Sequence, residues 1–504
     1  MMARMAPRMA ALAAVMALAV PAAASAETVA RVALGSLPTT MDPNAKTSGP
    51  PSTIVFYPIF DTLTFTDETG AAIPALATAW RSVDPLTWEF DLRPDVTFSN
   101  GEPLDAQDVK FTFDHVLDPD NNQVVRARIA TVDHVEIIDP TTVRIRTEAP
   151  DPILPKRVGS VFILPDQYFA EVGAQAFSED PVGSGPFELV NFRPSTSATF
   201  RARAGSWRGE PGIDGVEVTA IPEASTRVAA LQAGEVHLAE SIPPDLAGAL
   251  AEREGLSVVS ETLGQVNLII LNADSDGPLG DVRVRRALNL AVDKQAIAQS
   301  LMSGYATPTG QLIAPNGTGH DPSIEPYPYD PGEAARLLAE AGYGGGFDIT
   351  IHTTQGLQLN DREVSETVAG YLSALGINAS IEVLETAAYV DAYHNGGMDP
   401  AFFIGWWYFP AMDGDFVLVW NESSRPQSRF EDERFDELYA ASKSELDPEK
   451  RLALLQEMSQ LFHDEAGAIF LYHPEQTYGV SDRLQGFVPR ADRVIRFDSL
   501  SLAN

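Results

Sequence analysis

The chain contains no cysteine. That absence excludes disulfides, thiol catalysis, cysteine-ligated metal and a lipid anchor on an N-terminal cysteine. Histidine is sparse. The eight residues, at positions 115, 134, 237, 320, 352, 394, 463 and 473, form no H-E-x-x-H and no tight pair, so ligand spacing points to no resident metal. Basic residues number 35 against 70 acids, a net charge of −35. Such a surface repels phosphate backbones and anionic lipid, which sets nucleic acid aside as a partner. The glycine-rich stretch GYGGGFD (Gly342–Asp348) lacks the lysine and spacing of a phosphate loop and follows a helix. It reads as a helix stop. There is no G-x-S-x-G around a nucleophile, and no cofactor is expected. Beyond the first 26 residues, no uncharged stretch reaches membrane-spanning length.

What is there begins with an address. Arg4 and Arg8 precede an alanine-rich apolar stretch that ends in Ala24-Ser25-Ala26. This is the order of a secretory signal peptide, with cleavage expected after Ala26. The removed segment carries two arginines and no acid, which leaves −37. An exported chain without disulfides must rely on its hydrophobic cores. At 504 residues and 44 % hydrophobic composition, it should form two or more domains.

Periodicity places the elements. TWEFDLRPDVTF alternates Trp88, Phe90 and Leu92 as a half-buried strand. The next stretch reads as a helix, with Asp105 as cap and Val109, Phe113, Val116 and Leu117 on one face. Two β-α-β patterns follow. The first joins Val216–Ile221 to Val236–Ser241 through a helix around Ala224–Ala233. The second runs from Phe347–His352 through a helix bearing Val364, Val368, Leu372 and Leu375 to Ile377–Leu384, then by a short helical piece into PAFFIGWW. Such connections build parallel sheets. Asp281, Asp330 and Asp447 each open a further helix, the last two followed by proline. The expectation is α/β: two lobes, each with a mostly parallel sheet, and ligand contact outside the carboxyl ends of the strands.

At one such end stands FFIGWWYFPAMDGDF (Phe402–Phe416). Trp406, Trp407, Tyr408 and Phe409 are consecutive, and neighbouring side chains on a strand point to opposite faces. All four cannot share one core, so part of the cluster should face a cleft. Asp413 and Asp415 follow. The D-G-D run reads either as a solvated turn or as acids that swing into the cleft.

Five ordered blocks resemble one family: the periplasmic solute-binding proteins of ABC transporters in the dipeptide/oligopeptide/nickel class, family 5. They are LATAWRSVDPLTWEFDLRPDVTFSNGEPLDAQDVKFTFDHVLDP, GSGPFELVNFRP, RVAALQAGEVHLA (with His237 where the family has Asp), VRRALNLAVDKQAI and YDPGEAARLLAEAGY. The resemblance implies a hinge-linked, two-lobed type II periplasmic-binding-protein fold with an inserted subdomain. Lobe I would comprise 27–57, 178–266 and 476–504, the inserted subdomain 58–177 and lobe II 267–475. The chain would cross between lobes near Gln265–Asn267 and Pro474–Gly479. The resemblance further implies a monomeric, non-catalytic periplasmic protein that passes a small organic solute to ABC permease subunits. In peptide-binding relatives an Asp after Gly-Trp pairs with the peptide amino terminus. Here that position falls at or beside Phe409. Peptide, modified peptide, oligosaccharide and opine-like ligands all stay open, with a secreted hydrolase as the rival class. Arg362 is a candidate for a ligand carboxylate, against a reading as a surface arginine. Tyr305 and Gln311 lie on a loop that lines the family's cleft.

Overall fold

A computed structural model describes residues 27–45, 50–408 and 411–503. The central element is the strand Ala468–Ser481, fourteen residues long. Its first half lies between Gln265–Leu271 on one edge and Ala306–Pro308 on the other. Its second half lies between Leu256–Thr262 and Leu238–Glu240. All four partners run antiparallel to it. The strand therefore belongs to both lobes, and one twelve-stranded sheet runs through the molecule. The outward crossing is at Leu263-Gly264, between two strands that both pair with this spine.

Each lobe contributes three parallel strands to this sheet. In lobe I, Val29–Leu34 lies between Gly215–Ala220 and Leu238–Glu240. In lobe II, Asp348–Thr353 lies between Asn378–Val383 and Ala401–Trp407. The β-α-β patterns are present, but the mostly parallel sheets expected from them are not. Two antiparallel strands, Ser197–Ala202 and Phe187–Arg193, extend lobe I, and the spine is antiparallel to every neighbour. A chain that leaves a lobe and returns beside its own exit path must pair antiparallel there, and no local pattern records that return.

The helices form where caps and apolar stripes coincide. Asp105 and Asp108 make a reciprocal capping box on Ala106–Leu117. Asp281, Asp330 and Asp447 accept from first-turn amides of their helices. Val364, Val368 and Leu372 of Asp361–Ser373 are buried against the lobe II sheet with Ile349, Ile351 and Phe403. On its other face that sheet packs Phe402, Ile404 and Trp406 with Leu455, Phe462 and Phe470.

A third unit has its own core, centred on Phe90, Phe113, Val143 and Ile145. Its sheet is antiparallel, in the order Ala77–Asp84, Thr87–Leu92, Thr142–Thr147, Val132–Asp139. Helix Asp166–Glu179 sends Phe169 and Phe177 into the lobe I core, beside Phe56 and Phe60. Among the described residues, no helix is long and apolar enough to cross a membrane.

Candidate functional site

The carboxyl end of Ala401–Trp407 meets the start of Gln265–Leu271, where Gln265 pairs with Trp407 and Asn267 with Gly405. Gln265 Nε2 donates to Asn267 Oδ1 at 2.8 Å and to Gln358 Oε1 at 2.7 Å. Gly405 makes room for this amide pair: a β-carbon there would stand 2.6 Å from Gln265 Nε2 and 2.7 Å from Gln358 Cδ.

Gln358 sits on a loop that one carboxylate shapes. Asp361, buried, accepts from the backbone amides of Gly356 (2.9 Å), Leu357 (3.0 Å) and Gln358 (3.1 Å), and from the Thr354 hydroxyl. The loop presents Leu357 and Leu359 to solvent, 40 % and 46 % exposed. Sequence reasoning missed Gln265, Gln358 and Asp361. An acid at a helix start was visible for Asp361. Nothing local marks the two glutamines, which lie 93 residues apart.

Lobe I faces the same crossing with the ends of its own parallel strands. Ser241 follows Leu238–Glu240 with a positive φ of 53°, and its hydroxyl accepts from Gln476 Nε2 of the spine at 2.8 Å. Glu240 is buried and ion-paired to Arg493. Tyr305, half-buried, packs from lobe II onto the lobe I cluster of Val228, Leu231 and Leu250.

Strand alternation sorts the rings. Trp406 is core, its indole N–H bonded to Tyr393 Oη at 3.1 Å. Tyr408 is fully buried, its oxygen accepting from the Ala314 amide at 2.8 Å. Of the four rings expected to divide between core and cleft, Trp406 and Tyr408 both take the lobe II core, because they share one face of the chain. Trp407, on the opposite face, is half-buried. Phe409 lies outside the described residues.

The acids are not a solvated turn. Asp413 is fully buried, gripped by Arg451 Nη1 at 3.0 Å and Nη2 at 2.7 Å, with Lys156 Nζ at 3.1 Å. Burial pushes its carboxyl up, but the Lys156 and Arg451 charges outweigh that and hold it well below the usual carboxylate range. Asp415 takes Arg157 Nη2 at 3.0 Å. Burial raises its pKa, and Arg157 offsets only part of that. Lys156 and Arg157 belong to the inserted subdomain, so both acids serve as its anchor on lobe II. Both Asp413 oxygens and Asp415 Oδ2 are already held by these cations, which corrects the reading of the two residues as swinging ligand acids.

Gln311 is buried and satisfied locally. Its Nε2 donates to Asp321 O at 2.7 Å and its Oε1 accepts from Asp321 N at 3.0 Å. Arg362 takes the surface position instead, ion-paired to Glu366 at 2.8 Å on an exposed helix face. Among the described residues no group of three or more His, Asp or Glu is placed to hold a metal ion. At the crossing stand one half-buried indole, a bonded pair of primary amides and the loop that carries two exposed leucines, while the strands that cross there also carry Glu261 and Glu475.

The chain and its fold resemble known proteins. Residues 71–428 match the sequence profile of bacterial extracellular solute-binding proteins, family 5, middle region. The glutathione-binding protein GsiB of Salmonella paratyphi A is 28 % identical over 501 residues, spanning 96 % of each chain. Di/tripeptide-binding protein 2 of Pseudomonas aeruginosa is 27 % identical over 471 residues, spanning 87 % of this chain and 88 % of its own. The solved structure of HbpA2 from Haemophilus parasuis superposes with a TM-score of 0.87 at 24 % identity, covering 94 % of this chain and 100 % of that one. The architecture is the two-lobed type II binding-protein fold.

Proposed function

Because the chain belongs to the family 5 bacterial extracellular solute-binding proteins, we propose that it captures a peptide or peptide-like organic solute between its lobes and delivers it to the membrane subunits of an ABC importer. It acts by stoichiometric binding, without turnover, as an exported monomer in the periplasm. Relatives that span nearly the whole chain carry the names of glutathione- and di/tripeptide-binding proteins, which supports the peptide class. The observation that carries the reading is the mouth at the lobe crossing, where an amide pair stands beside an indole. Gln265 spends both Nε2 hydrogens on Asn267 and Gln358, an arrangement that turns the Gln358 Nε2 into the donor of the pair toward a peptide carbonyl, and Trp407 offers an apolar plane beside it.

The same mouth favours one second reading. Asp413 and Asp415 are spent on the inserted subdomain, so no acid of that loop is left for a free ammonium, and a buried unpaired ammonium is costly. An amino-blocked peptide, an oligosaccharide or an opine-like compound meets this wall without that cost.

The test is mass spectrometry of small molecules released from gently purified protein, followed by a thermal-shift screen of free-amine peptides, N-acetylated peptides, sugars and opines. A ligand at 100 times its dissociation constant adds about 2.7 kcal/mol, a shift of several degrees. Stabilisation by peptides supports the main reading. Stabilisation by sugars or opines alone replaces it with the second. Turnover of the released compound rejects a binding role.

A further inference from the structure

A cavity lies where residues between Tyr57 and Arg93 meet Trp207, Arg208 and Arg496. Its volume is about 300 Å³, at the lower end of the range of small-molecule sites. The walls come from six stretches: Tyr57 with Asp61 and Thr62, Phe65, Ile73–Ala75, Arg93, Trp207-Arg208, and Arg496. No lining residue belongs to lobe II, and none was among the sequence candidates.

The site is built from arginines laid on aromatic rings. Arg93 stacks over Trp207 at 4.4 Å, and Arg208 lies 5.9 Å from the same ring. Arg496 and Arg490 stack over Phe65 at 5.2 and 4.9 Å. Such stacking fixes a guanidinium in place while leaving its edge free to donate. Three of the four arginines already have carboxylates. Arg208 holds Asp61, whose other oxygen takes Trp207 Nε1 at 2.8 Å and Ser184 Oγ at 2.7 Å. Arg496 holds Asp498 at 2.7 Å, and Arg490 holds Asp492 at 2.6 Å. Arg93 is different. Its Nε donates to Ala75 O, and among the described residues it makes no ion pair. One positive charge is thus left over, on a fixed fork lining a cavity, in a chain with twice as many acids as bases. An acid to neutralise Arg93 is the commonest thing this sequence could have supplied.

We propose that this cavity binds a small organic carboxylate, whose oxygens take the free edge of Arg93 and whose apolar body lies along Phe65, Ile73 and Pro74. Arg93 supplies a forked donor pair for a planar oxyanion. The Tyr57 hydroxyl is directed at Gly159 O, 3.4 Å away, and Asp61 is fully bonded, so neither competes for the carboxylate. Ile73, Pro74 and Ala75 give the wall an apolar strip that a bare inorganic ion would leave uncovered.

The test is calorimetric titration of the mature protein with 4-bromobenzoate and, separately, inorganic phosphate, together with a crystal soaked in 4-bromobenzoate. Saturable binding of 4-bromobenzoate at about 1 mM or tighter, weakened about tenfold in Arg93→Gln and partly restored in Arg93→Lys, supports the proposal. So does anomalous bromine density between Arg93 and Phe65, a readout on the parent protein that does not depend on how the variants fold. The proposal is overturned by the absence of saturable binding, by unchanged affinity in Arg93→Gln, by bromine density only at the lobe crossing, or by phosphate binding where 4-bromobenzoate does not.

Discussion

Arg451 holds Asp413 with both arms, Nη1 to Oδ2 at 3.0 Å and Nη2 to Oδ1 at 2.7 Å, with the Asp413 side chain 0 % and the Arg451 side chain 7 % exposed. This pair turns a loop acid into a fixed internal charge, and Lys156 of the inserted subdomain completes it from across the boundary.

Removal of one partner should therefore be costly. Arg451→Met leaves the Asp413 carboxylate buried with Lys156 alone, and the expected loss is about 3–5 kcal/mol. The double variant Asp413→Leu/Arg451→Met should recover part of it, because the buried carboxylate is gone and only Lys156, with the Thr318 hydroxyl still 2.6 Å away, loses its partner. Urea unfolding of the parent, the single and the double variant measures both. A single variant within about 1 kcal/mol of the parent would contradict the buried-pair account.

The two neighbours Trp407 and Tyr408 should separate binding from stability. Tyr408→Ala empties a fully buried site and strips the Ala314 amide of its acceptor, for a loss of about 3–5 kcal/mol. Trp407→Ala, at a half-buried position, should change stability by about 1 kcal/mol or less while weakening ligand affinity at least about tenfold. Chemical denaturation and calorimetry with the identified ligand read the two effects. The reverse pattern would place Trp407 in the core.

Gly405→Ala tests the amide pair. The new methyl meets the side-chain ends of Gln265 and Gln358 instead of backbone, so the fold should tolerate it at a cost of about 1 kcal/mol. The two amides must part, and the loop carrying Leu357 and Leu359 must move with Gln358. Affinity should fall far more than stability. Equal affinity in parent and variant would remove Gln265 and Gln358 from the site.

His237 sets a pH dependence. Burial, with the Arg31 and Arg483 charges, lowers its pKa to about 4, and its Nδ1 accepts from the Arg31 amide at 3.0 Å. The unfolded state, titrating near pH 6.5, binds the proton first on acidification. The contribution of His237 is thus fully present above about pH 6.5 and lost as pH falls towards about 4, by up to about 3 kcal/mol. His237→Asn keeps an acceptor and cannot titrate. Its stability relative to the parent should improve progressively between those pH values, as followed by urea midpoints. A pH-independent difference would show that His237 titrates normally in the folded state.

Local patterns carried most of the architecture. The Asp105, Asp281, Asp330 and Asp447 caps and the stripe Val364, Val368, Leu372 involve residues within a turn or two of each other, so their physics is readable along the chain. The alternation that separates Trp407 from Trp406 and Tyr408 is equally local. Its direction is not, since either face could have been the buried one.

The sequence by itself determined the elements, the family and the presence of aromatic side chains on both faces of one strand end, because these depend on spacing and composition. Only the tertiary structure decided which charges meet. Lys156 reaches Asp413 across 257 residues, Gln265 reaches Gln358 across 93, and Arg93 is left without an acid beside Trp207. Pairing depends on distance in space and on the desolvation that accompanies burial, and the linear order of residues records neither.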